Sequence, residues 1–467
     1  MRRKHLSAFL LALGMLSTVI LAIPGLTGAE ESTSSQAVLD GPDVSDEAVL
    51  STAAKPTYTL DRTKLPFDAL AAAVSQRAWG VLHGAGWRAE VPEDWNGELV
   101  MWAHGFAGYG PELNVDNPPF RAWLLANHFA WAASSYSQNG YVVEQGARDT
   151  FALAREFGRR YGKPVRTYMT GASMGGHITG YSIERYPNAY DGAMPVCGVL
   201  GDRELFDFFT DFHLVTQTVT GISATYPFGP TYPLETVPKL KAALGTPSTP
   251  AYQQVAAVVQ QRTGGTRPGF GVAFASWLDF LLSLGAPPPG VAAFPATNKG
   301  TVYQLDGDPA ISPAEESLNA AVPRVSRTEY PTPDGLWTIG KIRGRFTIPV
   351  LTMHTIGDLF VPFSMEQSYA RKAAANGNDG QLVQRAIRDV GHCGFSEAEF
   401  NTAMRDLVNW VRNGVKPLGD TVTDSASVAA PTYGCRFTDT NGTFKGTPAR
   451  PLFAACPTAV PSGAPTS

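Results

Sequence analysis

A serine set between two glycines, Gly171-Ala172-Ser173-Met174-Gly175, carries the strongest chemical signal in the chain. A serine hydroxyl alone is a weak nucleophile and needs a base within hydrogen-bond reach. The setting is what makes these five residues informative. Residues 165–170 (VRTYMT) read as a strand, and residues 175–186 read as a helix. Passing from strand to helix so quickly forces a sharp turn, in which side chains two before and two after the serine would collide. Glycines at 171 and 175 remove those side chains. Ser173 is then pushed to the top of the turn, beside a helix N-terminus whose free N–H groups favour a developing negative charge. A Gly-rich turn with an incidental serine is the plain alternative.

On such an elbow the acid and then the base follow the serine in the chain. That order sorts the eight histidines. His5 lies in the N-terminal leader described below, and His83, His104 and His128 precede the serine. His177 is on the elbow helix, His213 lies in the middle of the chain, and His354 comes just before the best acid candidate. Only His392, in Val390-Gly391-His392-Cys393-Gly394, follows both serine and acid. The acid candidate is Asp358, where a strand ends, Gly357 turns the chain, and Leu359-Phe360-Val361-Pro362 follows. Its role would be to hold the imidazole in one tautomer and stabilise the imidazolium. Asp202, at a similar strand edge, is the competitor. A tetrahedral oxyanion needs two backbone N–H groups. Met174 supplies one, and the glycine-rich run Ala103-His104-Gly105-Phe106-Ala107-Gly108 supplies the other, with Phe106 preferred over Gly105. His104 is then an ordering residue of that loop.

These groups need a sheet to carry them. Strands are expected over residues 82–91, 98–104, 129–134, 165–170, 192–196, 346–352 and 382–390. Helices are expected over 121–127, 142–161, 175–186, 363–375 and 396–413. The alternation implies an α/β fold: a mostly parallel central sheet with helices on both faces. Residues 200–334 break the alternation. They are Pro-, Gly- and aromatic-rich, with helices expected at 203–212, 251–262 and 271–284, and read as a cap inserted between the core pieces 57–199 and 335–416. Cap residues Phe206, Phe208, Phe209, Phe212, Trp277 and Phe280 supply an aromatic wall. Their spacing is also that of ordinary helix packing. Residues 417–467 form a Pro/Gly-rich tail.

The 467 residues, 44% of them apolar, suffice for a large core. A net charge of −4 with no basic run beyond Arg2-Arg3-Lys4 argues against nucleic acid as the main partner. That basic head, the apolar run to residue 23 and the small residues Thr27-Gly28-Ala29 read as a signal peptide over residues 1–29, followed by a flexible Ser/Thr/Asp/Glu spacer over 30–56. The protein is then expected outside the cell, with no stable membrane association after cleavage. Four cysteines in an exported chain suggest two disulfides, with three connectivities open. Cys435 and Cys456 sit close together in the tail and suit a local loop, which leaves Cys197 with Cys393. No metal or cofactor is called for: there is no His-Glu-x-x-His and no G-x-G-x-x-G.

Taken together, His104-Gly105, Gly171-x-Ser173-x-Gly175, Gly357-Asp358-x-x-Val361-Pro362 and Gly391-His392 resemble the α/β-hydrolase superfamily, over about residues 80–200 and 335–415. The resemblance implies a Ser-His-Asp apparatus without a fixed substrate. Cys393 beside the histidine is similar to secreted feruloyl esterases and tannases, in which that cysteine pairs with one beside the serine. Here Ala172 stands at that place, and Cys197 at the end of the next strand is left for the stapling role. The expected activity is cleavage of a small-molecule or polymer-derived carboxylic ester. The alternatives are a secreted serine peptidase acting on short peptides and a non-catalytic binding protein.

Overall fold

The computed structural model describes residues 56–71, 73–223, 226–285, 295–326, 332, 334–440 and 450–456. The expected leader, and the spacer up to its last residue, lie outside the described residues.

Eight strands form one sheet: β1 (Ser75–Leu82), β2 (Ala85–Pro92), β3 (Glu98–Ala103), β4 (Ala130–Ser134), β6 (Arg166–Ala172), β7 (Gly192–Val196), β9 (Val350–Thr355) and β10 (Leu382–Ile387). Their order is β1-β2-β4-β3-β6-β7-β9-β10. The ladders from β4 through β10 are parallel, whereas β2 runs antiparallel to both β1 and β4. A two-residue pair, β5 (Tyr141–Val142) with β8 (Trp337–Thr338), stands apart.

Strand residues alternate between two cores. Along β3, Leu99, Met101 and Ala103 face one, and Val100 and Trp102 face the other. Both faces are therefore covered, as an all-apolar parallel strand requires. Helices α2 (Val143–Tyr161) and α3 (Met174–Arg185) close the first face through Leu153, Phe157 and Ile178. On the second face lie α1 (Arg121–Ala126), through Leu124, and α11 (Glu397–Asn413), through Met404 and Leu407. The remaining helices in chain order are α4 (Glu204–Thr220), α5 (Tyr232–Glu235), α6 (Val237–Leu244), α7 (Pro250–Arg262), α8 (Phe270–Ser283), α9 (Pro313–Ala321), α10 (Ser364–Ala375) and α12 (Ser425–Ala429). Those from α4 to α9 all belong to the segment between β7 and β9. This is the α/β-hydrolase fold.

Several boundaries depart from the sequence expectation. The strand expected over 82–91 is observed as β2, which starts at Ala85 as the second arm of a hairpin turned at His83 and Gly84 with φ of 49° and 86°. β9 starts at Val350 rather than 346, because Pro349 has no N–H and enters the ladder only through its carbonyl, bonded to Ala193 N. β10 stops at Ile387 because the next amide, Arg388 N, donates to Thr438 Oγ1 of the tail at 2.8 Å. α4 runs eight residues past its expected end through a Thr- and Val-rich stretch. There Thr216 and Thr220 bond back to the carbonyls four residues earlier. α9 stands where no helix is expected, opened by a full capping box between Ser312 and Glu315.

Candidate active site

Ser173 joins β6 to α3 in a strained conformation, φ 60° and ψ −122°. Its surroundings over-determine that strain. A Cβ on Gly171 would lie 2.4 Å from Gly175 O, and one on Gly175 would lie 2.0 Å from Ala103 O. The elbow is thus wedged against β3. The Gly105 backbone reaches the same place: a Cβ there would sit 3.9 Å from Ser173 Oγ. Phe106 follows in that loop and packs edge-on to Tyr109. Met174 is the first residue of α3, where an N–H has no intrahelical acceptor. His104 stacks on Tyr136 at 4.1 Å, with its Nδ1 against Gly105 O.

Among the described histidines, His392 is the one at the serine, its Nε2 2.8 Å from Ser173 Oγ. His177 is locked between Tyr141 OH (2.9 Å) and Gly340 O (2.6 Å). His213 sits between Tyr232 OH and Leu281 O. Asp358 faces His392 from the end of β9, Oδ2 to Nδ1 at 4.0 Å. Its Oδ1 accepts from Phe360 N (2.9 Å) and Val361 N (3.2 Å). The competitor Asp202 instead pairs with Lys372 at 3.2 Å and accepts from Ile342 N.

The site is shielded from water. Ser173 is 8% exposed, His392 1% and Asp358 0%. Burial holds His392 well below its ordinary value, and nearby His354 adds to that. Burial pushes Asp358 well above the usual carboxylate range, against the two N–H bonds and the charge of Arg267. Aromatic rings cover the pair. Phe360 lies 5.0 Å from His392 and is packed by Phe280 at 4.7 Å and Phe209 at 6.0 Å. A cavity of about 260 Å³ opens elsewhere, at the sheet edge between Leu382 and Lys416, and none of the site residues lines it.

The loops are fixed from several sides. Cys393 is bonded to Cys197, with Cα atoms 5.7 Å apart. Cys197 in turn hangs on the ladder through its N–H to Met353 O. The acid and histidine loops join directly, Gly357 N to Asp389 O at 2.9 Å. The tail, closed by Cys435–Cys456, reaches back to them. Its Arg450 pairs with Asp389 (2.9 Å) and Glu399 (2.7 Å) and donates to Gly394 O.

Three contributors escaped the sequence reading. Arg450 stands alone in a loop-like stretch, and so does Arg267 beyond α7. Phe360 lay inside the quoted acid motif, yet nothing in its type marked it as the lid of the histidine.

No family model matches the chain. Among curated proteins, the o-phthalyl amidase of Xanthobacter agilis is 31% identical over 103 residues, which span 22% of this chain and 22% of the amidase. Similar solved structures include feruloyl esterase B from Aspergillus oryzae, 14% identical with a TM-score of 0.45, covering 78% of this chain and 86% of that one. An esterase from Aspergillus oryzae is 15% identical with a TM-score of 0.44, covering 85% and 86%. The Pyrococcus horikoshii acylaminoacyl peptidase is 9% identical with a TM-score of 0.35, covering 68% of this chain and 38% of that one.

Proposed function

We propose that the protein is a serine hydrolase that cleaves carboxylic esters through an acyl-enzyme intermediate. The observation that carries this reading is the 2.8 Å contact between Ser173 Oγ, strained on its elbow, and His392 Nε2. Ser173 Oγ attacks the ester carbonyl carbon and passes its proton to His392 Nε2. The amides of Met174 and Phe106 hold the oxyanion. The intermediate collapses as the imidazolium returns the proton to the leaving alcohol. Water then repeats the sequence on the acyl-enzyme, with Asp358 stabilising the imidazolium each time. The segment over 200–334 acts as a cap whose aromatic side chains select a small-molecule or polymer-derived acyl group. Two disulfides and the leader-like N-terminus support a place outside the cell.

A second reading, cleavage of an amide or short peptide by the same residues, draws support from the amidase among the curated relatives. Labelling with a fluorophosphonate, mapped to one peptide by mass spectrometry, tests the mechanism. A label on Ser173 is expected, and an unlabelled Ser173 refutes the reading. Turnover of nitrophenyl esters against the matching anilides then separates ester from amide.

A further inference from the structure

Two side chains of the segment between β7 and β9 hold the loops of the acid and the base at matching positions. Arg267, on the loop between α7 and α8, donates from Nε to Ile356 O at 2.6 Å, two residues before Asp358. Trp277, on α8, donates from Nε1 to Val390 O at 2.8 Å, two residues before His392. Both side chains are buried, at 4% and 7% exposure. Each occupies a backbone carbonyl at a strand end, where the ladder no longer supplies a partner. Phe360 adds a third tie, since its N–H holds Asp358 Oδ1 while its ring bridges His392 to Phe280.

We propose that Arg267 and Trp277 are positioning residues for the Asp358–His392 pair, so that the cap completes the catalytic centre as well as covering it. This rests on the serine-hydrolase reading above. Trp277 sets where the histidine loop stands relative to Ser173. Arg267 sets the acid loop and is the cation whose charge acts on the Asp358 carboxylate. Two titratable groups near the pair, besides His392 itself, are already engaged. His354 of β9 is bonded to Glu366 of α10 at 2.9 Å, and Asp389 is paired with Arg450 of the tail. Burial lowers Arg267 to about 9, with Asp358 opposing the fall, so the guanidinium remains charged at neutral pH.

The test uses the full chain, beginning with unsubstituted enzyme and S173A. An unlabelled wild type, or an S173A that turns over normally, sinks the parent reading and is told apart at this step. W277F keeps the ring and loses the N–H. It is expected to lower kcat about tenfold to a hundredfold with KM changed less than about twofold, since a displacement near 1 Å costs about that much. R267M removes the charge that opposes the rise of Asp358, so the buried acid takes its proton at higher pH and the pair titrates later. The acid limb of kcat/KM then moves to higher pH by about one unit, a roughly tenfold loss on that limb. R267K returns the charge without the planar fork, so the limb returns while kcat stays about tenfold low. Near-UV circular dichroism checks folding; if R267M is unfolded, R267K decides the acid half. Wild-type kcat in W277F or R267K, a loss confined to KM, or an unmoved limb in folded R267M overturns the proposal.

Discussion

Asp358 Oδ2 and His392 Nδ1 face each other across 4.0 Å, both buried, and neither atom has a hydrogen-bond partner. The imidazole is already seated on the serine, so shortening this gap is the movement the proposed mechanism still requires. A hydrogen bond of 2.6–3.2 Å needs a closure of about 1 Å, the kind of tightening that substrate binding brings.

In the proposed mechanism, removal of any one of the three groups breaks a unit. Ser173→Ala and His392→Ala are each expected to lower kcat by several orders of magnitude while the fold persists, the residual rate coming from the oxyanion donors. Asp358→Asn is expected to be severe as well, because it favours the wrong imidazole tautomer. Steady-state kinetics with a nitrophenyl ester check this. A mild loss at His392 beside a severe one at His177 or His213 would contradict the assignment.

The rate should fall on the acid side as the base takes a proton. Burial disfavours the imidazolium, so His392 stays neutral below its ordinary value near 6.5. Burial of Asp358 works the other way, and the apparent value belongs to the pair. With His392 as the proposed base, the acid limb of kcat/KM is expected below about pH 6.5. A pH–rate profile with its limb above pH 7 would require a different base.

Reduction of Cys197–Cys393 is expected to lower activity before it unfolds the protein. The bond closes a loop spanning 196 positions, for which chain entropy gives roughly 5 kcal/mol. Its nearer effect is on the residue beside His392. A titration with dithiothreitol, followed by turnover and by circular dichroism, checks the order of events. Activity and structure lost in step would show that the bond serves stability alone.

Arg450→Ala leaves Asp389 and Glu399 as buried carboxylates without their shared cation. Breaking such a pair costs about 3–5 kcal/mol. Urea unfolding should show that loss, and turnover should fall with it because Gly394 O and the Asp389 turn flank His392. A variant with native stability would reduce the tail to an appendage.

The core of this arrangement was legible because it depends on local chemistry. Glycines at 171 and 175 are demanded by contacts with their own neighbours, and chain order isolates His392 among eight histidines. Strand ends were read less well. β9 and β10 start and stop where Pro349 and Thr438 intervene, and the second of these arrives from fifty residues away. Arg267, Trp277 and Arg450 act through backbone carbonyls and distant carboxylates, so no spacing within the sequence reveals their partners. The helices over residues 232–244 were missed as well, each opening with a proline at its first turn in a run dense in turn formers.

The tail gives the protein a timetable. A chain is made from its amino end at about 5–20 residues per second, and domains assemble in that order. Ser173 emerges early and His392 much later, while Arg450 and Cys456 come later still. A growing chain halted before residue 450 holds the proposed nucleophile, acid and base, yet lacks the cation under Asp389 and the partner of Cys435. The full competence of the centre is therefore among the last things synthesis delivers.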